Sequence, residues 1–215
     1  MRIHPFIAIW STLGIVVTVA LGAPARAADS PAETFIEQQH HRLEQLLRAP
    51  ESPSRETQVH QALAGFVDYD ELAHRAFGEP CPASQPGCED LWAGYDDGQR
   101  AELRGLMEQL IRKNYERNLS KTLDYDVTYR GTRDTGGETR VLTEATNRLK
   151  PRETATRVDY VVKQTQNGLR VVDVITEGSS TTKSYYEQFR KMMHDPTKGY
   201  PNIVLKLHEK IDKKD

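Results

Sequence analysis

The chain has few of the residues and motifs that carry chemistry. It has 215 residues but two cysteines, and it contains neither the GxSxG motif of serine hydrolases nor the glycine-rich GxxxxGK loop that binds nucleotide phosphates. The seven histidines show no HExxH spacing and no clustering with carboxylates, which argues against a metal site. Lys and Arg number 29 against 31 Asp and Glu, a balance that argues against general nucleic-acid binding. These absences argue against catalysis.

The first 27 residues are expected to be a secretion signal and not part of the fold. Met1–His4 is a short basic start, an apolar run extends from Phe6 to Leu21, and Ala25 and Ala27 suit cleavage after Ala27. An uncleaved anchor is the alternative, because the run approaches the length of a short membrane span. No cysteine follows the run, so a lipid anchor is not expected. Cleavage would leave residues 28–215 outside the cytoplasm, with a net charge of −4.

The two cysteines, Cys81 and Cys88, are expected to form a disulfide. Six residues separate them, including Pro82, Pro86 and Gly87, and an oxidising compartment favours pairing. The loop is short, so its stabilisation should lie near the low end of about 2–4 kcal/mol. A redox or metal-binding pair is the alternative, but the spacing is not CxxC and no histidine adjoins it.

Helical periodicity covers the region from about residue 30 to residue 119. Ser30 and Glu33 form a capping box around Pro31, and the first helix ends before Pro50. A second short helix follows, a third is capped by Asp68, and a long helix extends over 97–119. The apolar stripe of the long helix consists of Leu103, Leu106, Met107, Leu110 and Tyr115.

The period changes to two between about residues 123 and 177, which indicates antiparallel strands with one buried face. Gly136-Gly137 and Asn167-Gly168 lie where hairpin turns are needed. The residues predicted to share the buried face are Tyr125, Val127 and Tyr129, then Val141, Thr143 and Ala145, then Val158, Tyr160 and Val162. Asp159 is placed on the opposite, wetted face. Two helices, about 179–194 and 201–212, complete the chain.

The resulting prediction is a single α+β domain over residues 28–215. A four-stranded antiparallel meander is covered by several amphipathic helices. If the long helix and the 179–194 helix stand off the sheet, an apolar cleft opens between helices and sheet. If they pack tightly, the same stripes form a solid core.

Few polar residues stand out as candidate catalytic groups. Asp173 interrupts a valine-rich strand, where it could face water, hold a neighbouring loop or act catalytically. The run Ser179–Thr182 precedes a helix, so capping accounts for it. The histidines are interpreted as surface or hydrogen-bonded structural residues.

The segment from Gly168 to Phe189, a predicted strand that leads directly into a helix and is called here the strand-to-helix segment, resembles the C-terminal signature of the MlaC family. This family is also called the toluene-tolerance family. The matching residues are Val171, Val172, Asp173, Val174, Glu177, Gly178, Ser180, Tyr185, Gln188 and Phe189. Upstream, Phe66–Tyr69, Leu72-Ala73 and Phe77-Gly78 are similar to a second family segment. Trp92 and the long helix are similar to a third.

This resemblance implies a periplasmic phospholipid carrier with an apolar cleft for acyl tails and no cofactor. Its expected partners are an inner-membrane ABC transporter complex and an outer-membrane lipoprotein complex, contacted transiently. Tails would supply the affinity, so weak head-group selectivity is expected. The residues predicted to contact lipid are Phe77, Trp92, Leu103, Leu106, Met107, Leu110, Tyr115, Val141, Val158, Tyr160, Val162, Val172, Val174, Tyr185 and Phe189.

Three features depart from the family pattern. Residues 79–91 resemble an insertion, Leu169 replaces an aromatic residue, and Thr181 and Thr182 replace apolar residues. The threonines predict a more polar cleft mouth. The basic residues Lys206, Lys210, Lys213 and Lys214 are a candidate docking surface or simply a solvated helix face. Two other functions stay open: an adaptor with a filled core, and an enzyme that uses Asp173 or Tyr160 as an acid or base.

Overall fold

The structure is a computed structural model that describes residues 30–81, 86–195, 197 and 199–213, without the side chains of residues 115–120. The predicted signal segment 1–27 and Lys214 therefore lie outside the described residues. None of the helices in the described ranges combines the length and the apolar character that crossing a bilayer requires.

Helices and strands follow the predicted order. The helices are α1 (Pro31–Arg48), α2 (Pro53–Phe66), α3 (Tyr69–Ala76), α4 (Asp97–Thr122), α5 (Thr181–Met193) and α6 (Gly199–Asp212), with a 3₁₀ turn at Trp92–Gly94. The strands are β1 (Tyr125–Asp134), β2 (Glu138–Asn147), β3 (Thr156–Thr165), β4 (Gly168–Thr176) and β5 (Ser179–Ser180). The α+β prediction is confirmed, with five strands where four were predicted.

Helix ends are fixed by the predicted caps. The Ser30 hydroxyl accepts a hydrogen bond from the Glu33 N–H at 3.2 Å, and the Asp68 carboxylate accepts one from the Glu71 N–H at 2.9 Å. Gly78 follows α3 at φ +88°, where a Cβ would lie 2.3 Å from the Glu89 carbonyl oxygen. Glycine is required here on both counts, since the backbone is left-handed and no space exists for a side chain.

The sheet is an antiparallel meander in the order β1-β2-β3-β4-β5. Its register places Val127 opposite Ala145 and Tyr129 opposite Thr143, and a bulge interrupts β1 between Tyr129 and Thr132. On its other side, β4 is paired with the two-residue β5 and accepts a hydrogen bond from the Asp68 N–H at the Val171 carbonyl, 2.9 Å away. The Val67–Val171 bridge adds to this contact.

Buried apolar side chains form two clusters, named here the sheet cluster and the helix cluster. The sheet cluster joins α1 and α2 to the inner face of the sheet. Its members are Ala32, Ile36, Leu43, Val59, Ala62, Leu63, Phe66, Val67, Leu72, Val141, Val162 and Val171. The helix cluster lies between the four helices α3, α4, α5 and α6 and the 3₁₀ turn. Its members are Ala73, Ala76, Phe77, Trp92, Tyr95, Leu103, Leu106, Met107, Leu110, Phe189, Ile203 and Leu207.

One polar residue of the sheet lies where the alternation did not predict it. Asp159, expected on the wetted face, is fully buried. Arg140 Nε donates to Asp159 Oδ2 at 2.9 Å, and the Thr143 N–H donates to Oδ1 at 3.3 Å. The paired guanidinium and the amide compensate for the loss of hydration that burial of the carboxylate entails.

The predicted disulfide between Cys81 and Cys88 is present, with Cα atoms 5.6 Å apart. It closes the loop after α3. Next to it, the Glu89 N–H donates to the Tyr186 hydroxyl at 2.7 Å. The segment after the disulfide is therefore held against α5.

Candidate functional site

A cavity of about 580 Å³ lies between α1 and the inner face of β1, β2 and β3. The turn after α4 contributes to its wall. The lining residues are Glu37, His40, His41, Leu43, Glu44, Thr122, Leu123, Tyr125, Asp126, Val127, Tyr129, Thr143, Ala145, Arg148, Thr156, Val158 and Tyr160. The lining is thus apolar along the strands and charged along one side of α1 and the strand ends.

Small side chains on the strands explain why space remains here. Val127 and Thr156 both pair with Ala145, and all three line the cavity. Alternation directs every second residue of a strand to the same face, so these short side chains form one continuous floor. With α1 above this floor, the short side chains leave a volume that larger ones would fill.

Charged groups form the rim of the cavity. Arg148 Nε donates to the Asp126 carboxylate at 2.6 Å, and its Nη2 lies 4.0 Å from Glu44 Oε1. A hydrogen bond from Arg48 lowers the pKa of Glu44, so this carboxylate is ionised at neutral pH. Glu37 and the exposed His41 also belong to the rim. The rim therefore carries both signs of charge, in contact with solvent.

A hydrogen-bonded polar group in the cavity wall consists of His40, Tyr129 and Tyr160, named here the His40 triad. His40 Nδ1 lies 2.8 Å from the Tyr129 hydroxyl oxygen, and Nε2 lies 3.0 Å from that of Tyr160. Burial, with a smaller contribution from His41, lowers the pKa of His40 from 6.5 to about 4, so the imidazole is neutral at neutral pH. Burial also raises the pKa of both tyrosines, which therefore stay protonated.

Of the residues predicted to contact lipid, Val158 and Tyr160 line this cavity. Val141 and Val162 belong to the sheet cluster, Val174 packs against it, and Val172 is fully buried. The helix cluster contains Phe77, Trp92, Leu103, Leu106, Met107, Leu110 and Phe189, with Tyr185 packed against it. The side chain of Tyr115 lies outside the described residues. For all of these residues, those that line the cavity included, lipid contact stays a prediction.

The helices around this cavity are only partly those expected for the cleft, which was predicted beneath the long helix and the 179–194 helix. The long helix α4 contributes its last residue, Thr122, and α1 forms the upper wall. Helix α5 packs against α3, α6 and β4. Thr182, expected at a cleft mouth, is buried in the first turn of α5. A signal for α1 existed in the sequence, since His40 lies on the same apolar stripe as Ile36 and Leu43.

The two signature residues Asp173 and Ser180 have a structural role. Asp173 is buried, and its carboxylate accepts hydrogen bonds from the Ser180 hydroxyl at 2.5 Å and from the Thr182 N–H at 3.1 Å. Ser180 in turn accepts from the Lys183 N–H at 3.0 Å. Of the roles left open for Asp173, the structure shows the one in which it holds the neighbouring turn. It fixes the start of α5 to β4.

The basic residues near the C-terminus have partners on the protein surface. Lys206 pairs with Glu209 at 2.5 Å, and Lys210 donates to the Gln188 side chain at 2.9 Å. The docking role proposed for the lysines stays a prediction.

Among the described residues, no group of three or more His, Cys, Asp or Glu side chains is arranged to hold a metal ion.

A concave cavity that is lined mostly by apolar side chains, with a few polar and charged groups, is typical of small-molecule binding sites. The comparison with family models specifies the class. The chain belongs to the MlaC family, whose model, described as MlaC protein, matches residues 37–209. This match confirms the resemblance of the strand-to-helix signature.

A solved structure has the same fold. It is a phospholipid-binding protein from Ralstonia solanacearum in complex with a phospholipid. The two chains are 16% identical with a TM-score of 0.67, and the match covers 85% of this chain and 97% of that chain. A comparison with curated proteins gives no match.

Proposed function

We propose that this protein is a periplasmic carrier that binds the acyl tails of phospholipids in the cavity between α1 and β1–β3. The cavity is the observation that carries the proposal. Its volume of about 580 Å³ lies within the range of about 300–1,000 Å³ typical of ligand pockets. Its apolar floor suits tails, and its charged rim suits a head group that remains in water.

The energetics require no strong polar anchor. Each methylene removed from water contributes about 0.8 kcal/mol, so about ten methylenes would contribute about 8 kcal/mol, equivalent to a micromolar dissociation constant. A bilayer offers a tail nearly the same stabilisation. Loading and unloading are therefore close to balanced, as a carrier needs, and the tails outweigh the head group in affinity.

Family and fold support this function over the alternatives. The chain belongs to the MlaC family, and a protein of the same fold was solved with a phospholipid. The open cavity argues against an adaptor with a filled core. Catalysis is not favoured either, because the Asp173 carboxylate holds the start of α5 and the Tyr160 hydroxyl is bonded to His40.

The proposal includes the route of the lipid. We propose that residues 1–27 direct export and are removed, and that the carrier exchanges lipid with an outer-membrane lipoprotein complex and an inner-membrane ABC transporter complex. Family membership supports these partners. Chemical crosslinking in cells, followed by identification of the captured membrane proteins, tests them independently of lipid binding.

Two neighbouring tryptophan substitutions test the cavity. Val127 lines the cavity, whereas Thr128 is exposed on the outer face of the same strand. Val127→Trp fills the cavity and excludes two or more methylenes, so co-purifying phospholipid should fall about tenfold or more. Thr128→Trp adds the same bulk outside and should leave loading unchanged. Both proteins are purified without detergent, and bound lipid is quantified by native mass spectrometry and organic extraction.

The wild-type protein provides the decisive outcome. If it carries no phospholipid and takes none from vesicles, the carrier function is wrong. Equal loading of the two variants, with both folded, would instead place the lipid outside this cavity.

A further inference from the structure

The His40 triad is an uncharged polar group in the wall of the cavity. Its two tyrosines extend from β1 and β3, and His40 reaches both from α1. The Phe66 ring lies behind the triad, with its centroid 6.1 Å from those of His40 and Tyr160. One side of the triad therefore adjoins the sheet cluster, while both tyrosines line the cavity.

The number of hydrogens in the triad exceeds the number of its internal bonds. A neutral imidazole has one N–H and one bare nitrogen, and the two tyrosines contribute two O–H groups. Two hydrogen bonds join the three side chains. In either tautomer, one hydroxyl donates to the bare nitrogen and the other accepts from the N–H. The accepting hydroxyl keeps its own hydrogen, which has no acceptor among the three.

A donor without an acceptor is unfavourable in an apolar environment, so water or a ligand oxygen must accept this hydrogen. Within the described part of the chain, His40 is the hydrogen-bond partner found for each of the two hydroxyls. The triad is neutral, and Glu37 and Glu44 line the same cavity. An uncharged acceptor therefore suits the site better than a phosphate or an ionised carboxylate.

The position of the triad in the cavity further restricts which chemical group of a ligand can accept the hydrogen bond. Tyr129 lies three residues beyond the rim residue Asp126 on β1, which corresponds to about 10 Å along a strand. In a diacyl phospholipid, ester carbonyls lie between the charged head group and the apolar tails. A donor at this distance from the Asp126–Arg148 pair of the rim matches that position.

We propose that the His40 triad donates its spare hydroxyl hydrogen to an ester carbonyl of the bound lipid, so that the protein prefers ester-linked to ether-linked chains. This inference rests on the proposed lipid-carrier function. It adds that the carrier distinguishes an ester from an ether linkage between glycerol and tail. Hydrophobic burial alone does not distinguish the two.

Competition between two lipids tests the inference on the exported protein. Lipid-free protein is offered vesicles with equal amounts of diester and diether phosphatidylethanolamine of matched chain length, and the bound species are counted by native mass spectrometry. We expect the diester lipid to be favoured about twofold to tenfold, the range of one net hydrogen bond. Equal loading of the two lipids would overturn the inference and leave the carrier function intact. Loading of neither would overturn both.

Phenylalanine variants locate the donor. Tyr129→Phe and Tyr160→Phe each keep the ring, and the double variant removes both hydroxyls from the cavity wall. We expect at least one single variant to lower the ester preference, and the double variant to abolish it. Tyr200→Phe is the matched control, because the Tyr200 hydroxyl donates to Glu102 outside the cavity and removal of that hydroxyl should leave the preference unchanged. If the double variant binds lipid with the wild-type preference, the triad is not the donor. If it does not fold, the two single variants decide by the same criterion.

Discussion

The Phe77 and Phe189 rings stack in the helix cluster with centroids 4.6 Å apart, whereas beneath α1 Val127 and Ala145 face an open volume. Both regions consist of amphipathic elements packed face to face. In the helix cluster, large aromatic residues fill the space between four helices. Under α1, short side chains on the strands do not. The size of the facing residues, more than their polarity, decides which region keeps an open cavity and which forms a filled core.

Two valines on one strand illustrate the difference. Val162 is 1% exposed in the sheet cluster, while Val158 lines the cavity. Both were assigned to the buried face by the alternation of β3. Their environments differ because of the elements above them, which belong to distant parts of the chain. Substitutions in the two regions should therefore separate stability from ligand binding.

The largest effect is expected from Phe189→Ala in the helix cluster. Phe189 is 2% exposed, and removal of a buried phenyl ring typically costs about 3–5 kcal/mol. The free energy of unfolding, measured by urea denaturation, should fall by that amount. If lipid occupies only the cavity beneath α1, bound lipid per folded molecule should not change. A lower lipid content in the folded fraction would mean that the helix cluster also contacts the ligand, and the contrast between the two regions would fail.

A somewhat smaller effect is expected from pH, on the cavity side. Because the folded-state pKa of His40 is about 4 and its ordinary value is 6.5, the unfolded chain takes up a proton between these values and the folded protein does not. Stability is thus lost as pH falls from about 6.5 to about 4, by up to about 3 kcal/mol. Unfolding free energies measured across this window test the prediction.

The adjacent histidine provides the control for this measurement. His40→Gln should remove most of the pH dependence assigned to His40, while His41→Gln at the exposed neighbouring position should keep most of it. Other carboxylates and histidines contribute equally to both variants, so the difference between the curves isolates His40. Parallel curves for the two variants would contradict a neutral, buried His40.

The smallest change in stability is expected from Val158→Ala. Its methyl groups already border a cavity, so the cost should stay within about 0.5–1.5 kcal/mol. The same methyl groups are proposed to contact the tails, so lipid loading should fall severalfold. Denaturation and lipid extraction on one preparation give both numbers. A loss of stability as large as that of Phe189→Ala would show that this side of the sheet is as tightly packed as the helix cluster.

Local rules predicted most of the fold. The caps at Ser30, Asp68 and Ser180 and the turns at Gly136-Gly137 and Asn167-Gly168 depend on neighbouring residues, which a sequence displays directly. Asp159 was misplaced because its burial depends on Arg140, a residue of another strand. The two-residue β5 was missed because so short a strand has no periodicity.

The site was less predictable than the fold for the same reason. Alternation identified the sheet face that carries Val158 and Tyr160, and both line the cavity. The concentration of aromatic residues between Tyr185 and Phe189 attracted the prediction to α5, where they pack against the helix cluster. His40 was interpreted as a surface or hydrogen-bonded structural residue, and it is hydrogen-bonded. Its partners, Tyr129 and Tyr160, could not be identified because they are 89 and 120 residues away in sequence. Whether a cavity remains between two packed elements depends on side chains that are far apart in the sequence.

The edges of the sheet affect how the protein behaves at high concentration. An exposed strand edge can pair with a strand of another chain, and native proteins prevent this with bulges, charged side chains and very short edge strands. β1 has a bulge after Tyr129 and carries charged residues at Asp126, Arg130 and Arg133. At the other side, β4 is covered by the two-residue β5 and by the bridge from Val67. Both edges therefore resist strand addition, so that a molecule with an open apolar cavity is protected from polymerising through its own sheet.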